Sequence, residues 1–246
     1  MHAKERLIFP LDVPDGKEAE RYIKLLRDSV GFFKVGLELF VAEGPDILKM
    51  ISEHSGAKIF LDLKFHDIPA TVQKAQESAN RLGATFVTVH CDEGLAVLSA
   101  VARGAARDTQ VLAVTVLTSL GSDDLLEAGF SSEYADNLTK LVLKRAALAK
   151  KAECAGVVCS GLEASAVKEA FPDLVVVTPG IRPEWSVVSG DDQKRIVTPY
   201  QAIINGADYL VVGRPIRMAK DPKEAAERTV EAVSYTHLTL PTKRIV

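Results

Sequence analysis

One pattern limits what this chain can fold into: a short run rich in Val, Ile and Phe followed by an amphipathic stretch, repeated eight times. The apolar runs read as strands and the intervening stretches, with apolar residues at helical spacing, as helices. Strands are predicted in LIFPLDV from Leu7, FFKVGLELF from Phe32, KIFLDLKF from Lys58 and TFVTVHC from Thr85. The second half adds QVLAVTVLTS from Gln110, GVVCSG from Gly156, LVVVTPGI from Leu174 and DYLVVGRPI from Asp208. Helices are predicted in KEAERYIKLLRDS, PDILKMISEHS and TVQKAQESANRLG, and capping boxes at Ser160 to Glu163 and Asp221 to Glu224, the second with Pro222 in the first turn. Eight strand–helix units imply a (β/α)8 TIM barrel of class α/β. The alternative, a doubly wound nucleotide-binding sheet, lacks its glycine signature: no GxGxxG follows the first strand, and no GxxxxGK[ST] occurs.

No Pro/Ser-rich linker divides the chain, so residues 1–233 read as one catalytic domain. The segment VSYTHLTLPT from Val233 breaks the helical pattern before it and resembles a translated sequencing adapter. Residues 234–246 are therefore read as a non-native tail and set aside, with a shortened last helix expected. A net charge of -3 gives no polyelectrolyte signal, which points away from nucleic acid. The polar Met1 to Arg6 is not a signal peptide, and no run reaches membrane-spanning length, so a cytoplasmic protein is expected. Cys91, Cys154 and Cys159 have no CxxC spacing and are expected to be reduced thiols.

In such a barrel the site lies at the C-terminal ends of the strands. Those ends carry Asp12, Lys34, Asp62 with Lys64 and Asp67, His90, Thr118 and Ser119, Ser160, Arg182 and Arg214. A lone His90 or Ser160 reads first as a satisfied structural group. The third strand is sharper, because residues two apart share a face, which puts Asp62 and Lys64 side by side. Its other residues show no simple alternation, as expected of a strand covered on both sides. Inward charges must be paired, and Asp12 with Lys34 would complete an alternating array with Asp67. Buried ion pairs do little for stability once desolvation is counted, so the array reads as a site rather than a brace.

A lysine between carboxylates keeps its proton, which argues against a Schiff-base nucleophile and for a proton donor to a developing carbanion. Asp62 beside it would repel an anionic substrate group, and that repulsion is relieved if the group leaves as carbon dioxide. The loops after the last two strands offer Arg182, Gln193, Gly213 and Arg214 for a phosphate. The stretch RPEWSVVSGDDQKRI from Arg182 is long for a compact barrel and reads as functional.

The motif DLKFHDIPAT resembles the D-x-K-x-x-D-I-P-x-T signature of the orotidine 5'-phosphate decarboxylase family. VTPGIRP, DDQKRIVTP and VVGRPI resemble that family's later segments, in order. The resemblance runs to about Val233. It implies a carbon–carbon lyase that converts orotidine 5'-monophosphate to UMP and carbon dioxide, the last step of de novo pyrimidine synthesis. No cofactor and no metal are implied, and the enzyme would be a homodimer with sites near the interface. Lys64 would protonate C6, Asp62 would face the leaving carboxylate, and Lys34 and Asp67 would complete the array. Asp67 and Thr71 would come from the partner subunit. Asp12 would bind the ribose, Thr118 and Ser119 the pyrimidine, and Arg182, Gln193, Gly213 and Arg214 the phosphate. The loop before Gln193 would close over the phosphate, with Trp185 packing there. Two rivals stay open: a magnesium-dependent hexulose-phosphate synthase or ketogulonate-phosphate decarboxylase, and a catalytically silent nucleotide-binding barrel. The Ile68 to Thr71 continuation and the TPGIRP segment favour the orotidylate reading over the first; the intact Asp62, Lys64 and Asp67 argue against the second.

Overall fold

A computed structural model of the chain describes residues 2–186 and 195–234. Gln193, most of the loop before it and the tail from residue 235 lie outside the described residues. Eight parallel strands close on themselves in sequence order. They are β1 (Leu7–Pro10), β2 (Phe32–Val35), β3 (Lys58–Phe65), β4 (Phe86–His90), β5 (Gln110–Val114), β6 (Gly156–Val158), β7 (Val175–Thr178) and β8 (Tyr209–Val211). The (β/α)8 barrel read from the sequence is the fold observed.

Strand alternation sorts the chain into two apolar layers. Ile8, Phe32, Phe60, Phe86, Leu112 and Val177 point inward and fill the barrel. Phe32 stacks on Phe86 at 4.7 Å, and Phe60 meets Phe86 edge-on at 5.7 Å. Each such ring removes about 1.5–3 kcal/mol worth of apolar surface from water. The intervening residues Leu7, Phe9, Phe33, Val35, Ile59 and Leu61 face outward into a second layer. That layer is completed by helices such as Gly16–Leu26, whose Ala19, Tyr22, Ile23 and Leu26 form one buried stripe. Asp15 caps this helix by accepting from the Glu18 N–H at 2.8 Å. The strands thus read as continuously apolar because both faces are covered.

Several predicted boundaries move. FFKVGLELF is strand only to Val35; Leu37–Glu43 is a helix, because Gly36 breaks the extended run and caps it. DYLVVGRPI likewise leaves the strand at Val211 and turns into a short helix, Arg214–Arg217, with Pro215 in its first turn. The cap at Asp221 forms: its carboxylate accepts from the N–H groups of Lys223 and Glu224, both at 3.0 Å. The box at Ser160 does not. The helix there starts later, at Ala164; Ser160 Oγ accepts from the Leu162 N–H at 3.2 Å rather than from Glu163, and the Glu163 carboxylate pairs with Arg195 at 2.7 Å. The last helix, Pro222–Ser234, runs a full thirteen residues. All three cysteines are free and buried.

Candidate active site

The inner layer changes character along the barrel axis. Below, the aromatic plug is dry; above it, the next inward positions are Lys34 on β2 and Asp62 on β3. Register places Lys34 beside Phe60, so Asp62 stands one pleat higher, within reach of the Lys34 ammonium. The Asp62 carboxylate is held on both sides. Lys64 Nζ donates to Oδ1 at 3.0 Å, and Lys34 Nζ sits 3.3 Å from Oδ2. Lys34 Nζ also donates to Asp12 Oδ1 at 3.2 Å. Side-chain exposure is 12% for Lys34 and for Asp62, 29% for Lys64 and 52% for Asp12, so the array runs from the barrel interior to its mouth.

Burial opposes both inner charges and mutual attraction overrides it. For Lys34 desolvation acts downward, but Asp62 and Asp12 together hold the pKa above the ordinary lysine value. For Asp62 desolvation acts upward, but Lys34, Lys64 and the Thr88 hydroxyl hold the carboxyl below its ordinary value. Lys34 and Asp62 therefore both carry their charges at neutral pH. Gly36 makes room for it: a Cβ there would stand 3.2 Å from Lys34 Nζ.

Lys64 departs from strand geometry, with φ of 51°, in the left-handed region that non-glycine residues rarely enter. The β3–β4 register slips between Leu61 and Phe65 at the same place. What holds this backbone is Thr88 on β4, fully buried. Its hydroxyl accepts from the Lys64 N–H at 2.9 Å and donates to Asp62 Oδ1 at 3.0 Å. One side chain thus fixes both the strained residue and the carboxylate it faces. Thr88→Val keeps the shape and removes the hydroxyl, leaving a buried N–H without its acceptor. We expect it to cost about 1–3 kcal/mol in urea unfolding, with Thr88→Ser recovering most of the loss.

Asp12, Lys34, Asp62, Lys64, Thr118, Ser119, Arg182, Gly213 and Arg214 line one cavity of about 280 Å³ at the C-terminal end of the barrel. Thr118 and Ser119, after β5, stand across it from Gly213 and Arg214, after β8. Arg182 is steadied by donating to the Ile181 carbonyl at 3.0 Å. Glycine at 213 keeps the wall close to β1, since a Cβ would meet Pro10 Cγ at 2.9 Å. Cys159 also lines the cavity, but burial pushes its thiol well above the usual range, away from nucleophilic use.

Asp67 and Thr71 are not brought into this cavity. The segment from His66 to Thr71 is exposed, with Ile68 at 67%. Glu93 tethers it: Oε2 accepts from the Asp67 N–H at 3.1 Å, and Oε1 lies 2.6 Å from His66 Nδ1. Trp185 does not line the cavity either. Its ring packs under the Arg228 guanidinium, 4.8 Å away, and lines a neighbouring pocket together with Arg214.

Thr88, Glu93 and Arg195 are not marked by the sequence pattern as site residues. Thr88 has a usable signal, since it lies two residues from both Phe86 and His90 on the inward face of β4. Glu93 ends a three-residue 3-10 helix and Arg195 sits in a loop, and neither place has a periodicity that marks direction.

Known proteins resemble this chain along most of its length. The family model for the orotidine 5'-phosphate decarboxylase / HUMPS family matches residues 5–229. A relative named orotidine 5'-phosphate decarboxylase, from Desulfosudis oleivorans, is 53% identical over 225 residues, covering 91% of this chain and 90% of its own. One of the same name from Methylococcus capsulatus is 47% identical, with 91% and 90% covered. The crystal structure of orotidine 5'-phosphate decarboxylase from Lactobacillus acidophilus superposes with a TM-score of 0.78 at 35% identity, covering 92% of this chain and 98% of that one. The chain belongs to the orotidine 5'-phosphate decarboxylase / HUMPS family.

Proposed function

We propose that this chain decarboxylates orotidine 5'-monophosphate to UMP and carbon dioxide without metal or cofactor, as the last step of de novo pyrimidine synthesis. The observation that carries the reading is the Asp62 carboxylate clamped between two ammoniums, on a cavity whose far wall presents arginines. The kinship with relatives of that name supports it.

The arginines Arg182 and Arg214, with Gly213 and Gln193, take the phosphate; bidentate guanidinium contacts suit that dianion. Asp12 takes the ribose, and Thr118 and Ser119 the pyrimidine. This sets the C6 carboxylate against Asp62, whose negative charge opposes it in the bound substrate. As the C6–carboxyl bond breaks, its electron pair stays on C6 and neutral carbon dioxide departs. The Lys64 ammonium stabilises that developing charge and delivers a proton to C6. Its strained backbone, held by Thr88, aims it. Lys34 holds Asp62 charged and in place. A second copy of the chain supplies Asp67 and Thr71, whose exposed segment suits a subunit interface. The reading carries with it a cytoplasmic homodimer; no described helix is long and apolar enough to cross a membrane.

The magnesium-dependent members of the barrel family are the second reading. Against it stands the donor set: both Asp62 oxygens already face ammoniums, which would lie beside any divalent cation placed there. The experiment is direct. Purified protein mixed with orotidine 5'-monophosphate in EDTA is expected to show steady loss of ultraviolet absorbance at the rate seen without EDTA. Absence of turnover, or turnover abolished by EDTA and restored by magnesium, would defeat the reading.

A further inference from the structure

Outside the charged array, the described residues hold one other deeply buried ion pair at the barrel mouth. Arg195 and Glu163 are 7% and 4% exposed, with Arg195 Nη1 2.7 Å from Glu163 Oε1. The other arm of the guanidinium, Nη2, donates to two successive carbonyls, Val116 and Leu117, both at 3.0 Å. Those carbonyls immediately precede Thr118 and Ser119, the two polar residues that the β5 side contributes to the cavity. A second buried guanidinium, on Arg145, takes the carbonyl just before them, that of Thr115, and is itself paired with Asp92. Three consecutive carbonyls past the end of β5 are therefore held by two arginines, one anchored beside β4 and the other beside β6.

As a source of stability the Arg195–Glu163 pair is inefficient. Burial pushes the Glu163 carboxyl up, and Arg195 offsets only part of this. Glu163 Oε2 and Arg195 Nε have no hydrogen-bond partner among the described residues. A half-satisfied buried pair costs more than a well-packed apolar one. What the pair does supply is direction: one nitrogen of a planar guanidinium holds two adjacent peptide carbonyls while the other holds Glu163.

We propose that Arg195 is a positioning residue, anchored by Glu163, which sets the Val116–Ser119 turn and with it the wall of the site that receives the pyrimidine. The role rests on the function proposed above for the cavity. The turn follows β5, three strands round the closed barrel from β8 and Arg214.

The test uses the full chain in two variants. Arg195→Lys keeps a cation for Glu163 but gathers its donors on one nitrogen, which cannot span Glu163 on one side and the two carbonyls on the other. Arg195→Met with Glu163→Gln removes both charges together and leaves no buried ion unpaired. In the absence of ligand, amide hydrogen exchange over residues 116–120 is expected to quicken by about tenfold or more in both, while the inner strands keep their protection. UMP affinity is expected to fall by roughly tenfold, with ribose 5-phosphate affinity changed by less than about twofold. Unchanged exchange at 116–120 in both variants would overturn the proposal. So would equal losses for UMP and ribose 5-phosphate, which would mark a general loosening of the fold. If the unmodified protein binds neither molecule, the proposed function fails, and the exchange measurement still decides the role of Arg195.

Discussion

Lys64→Ala is expected to lower kcat for orotidine 5'-monophosphate decarboxylation by about 10⁴-fold or more, while UMP still binds within roughly tenfold of its original affinity. The split follows from where Lys64 stands. It reaches Asp62 at 3.0 Å but lies on the cavity wall away from Arg182 and Arg214, so the phosphate and ribose contacts survive its loss. What disappears is the only described ammonium besides Lys34 in contact with Asp62, and with it both the proton and the charge facing C6. Proton donation alone accounts for about 10²–10⁴-fold in rate, and charge stabilisation in a closed site adds to it. Single-turnover kinetics and calorimetric UMP binding measure the two halves. Turnover within tenfold of the original would remove Lys64 from the chemistry, and loss of UMP binding would mean that the substitution acts through the fold.

Asp62→Asn is expected to be nearly as damaging to activity, by roughly 10³-fold, and to destabilise the protein by about 3 kcal/mol at neutral pH. The amide keeps the size and the Thr88 contact but strips the charge that two ammoniums share. Lys34 is then left with burial acting downward on its pKa and only the half-exposed Asp12 to oppose it. The pH dependence has a definite sign. Asp62 is depressed in the folded state, so its stabilisation is complete above the ordinary carboxylate pKa of about 4 and is lost as pH falls through the lower folded value. Lys34 is raised, so its share is complete below the ordinary lysine pKa of about 10.4 and is lost as pH rises through the higher folded value. Urea unfolding across pH should therefore show the gap between the two proteins wide near neutrality and narrowing below about pH 4. A gap that is constant with pH would mean that the Asp62 charge contributes nothing to the fold.

Much of the site is legible in the sequence. Nine of the residues singled out at strand ends and in the loops after them line the cavity at the barrel mouth. They can be found because each lies at, or within a few residues after, the C-terminal end of a strand, where a barrel of this kind places its site. Gln193 and the loop before it lie outside the described residues. The Ser160 capping box does not form because a Ser-x-x-Glu spacing describes only local geometry; Ser160 Oγ takes the Leu162 N–H, and Arg195, 32 residues away, takes the Glu163 carboxylate.

Local periodicity by itself determines that the chain makes eight strand–helix units and that Asp62 and Lys64 face the same way. Those are properties of a few consecutive residues and of the energy of burying them. Tertiary structure alone decided the rest. Closing the barrel brought Thr88 beside Lys64 across 24 positions of sequence and made a left-handed lysine tolerable. It set Lys34 against Asp62, left Asp67 on the outside, and aimed Arg195 at the turn before Thr118. Pairings of that kind depend on register between distant strands and on loop direction, which no repeat of apolar residues encodes.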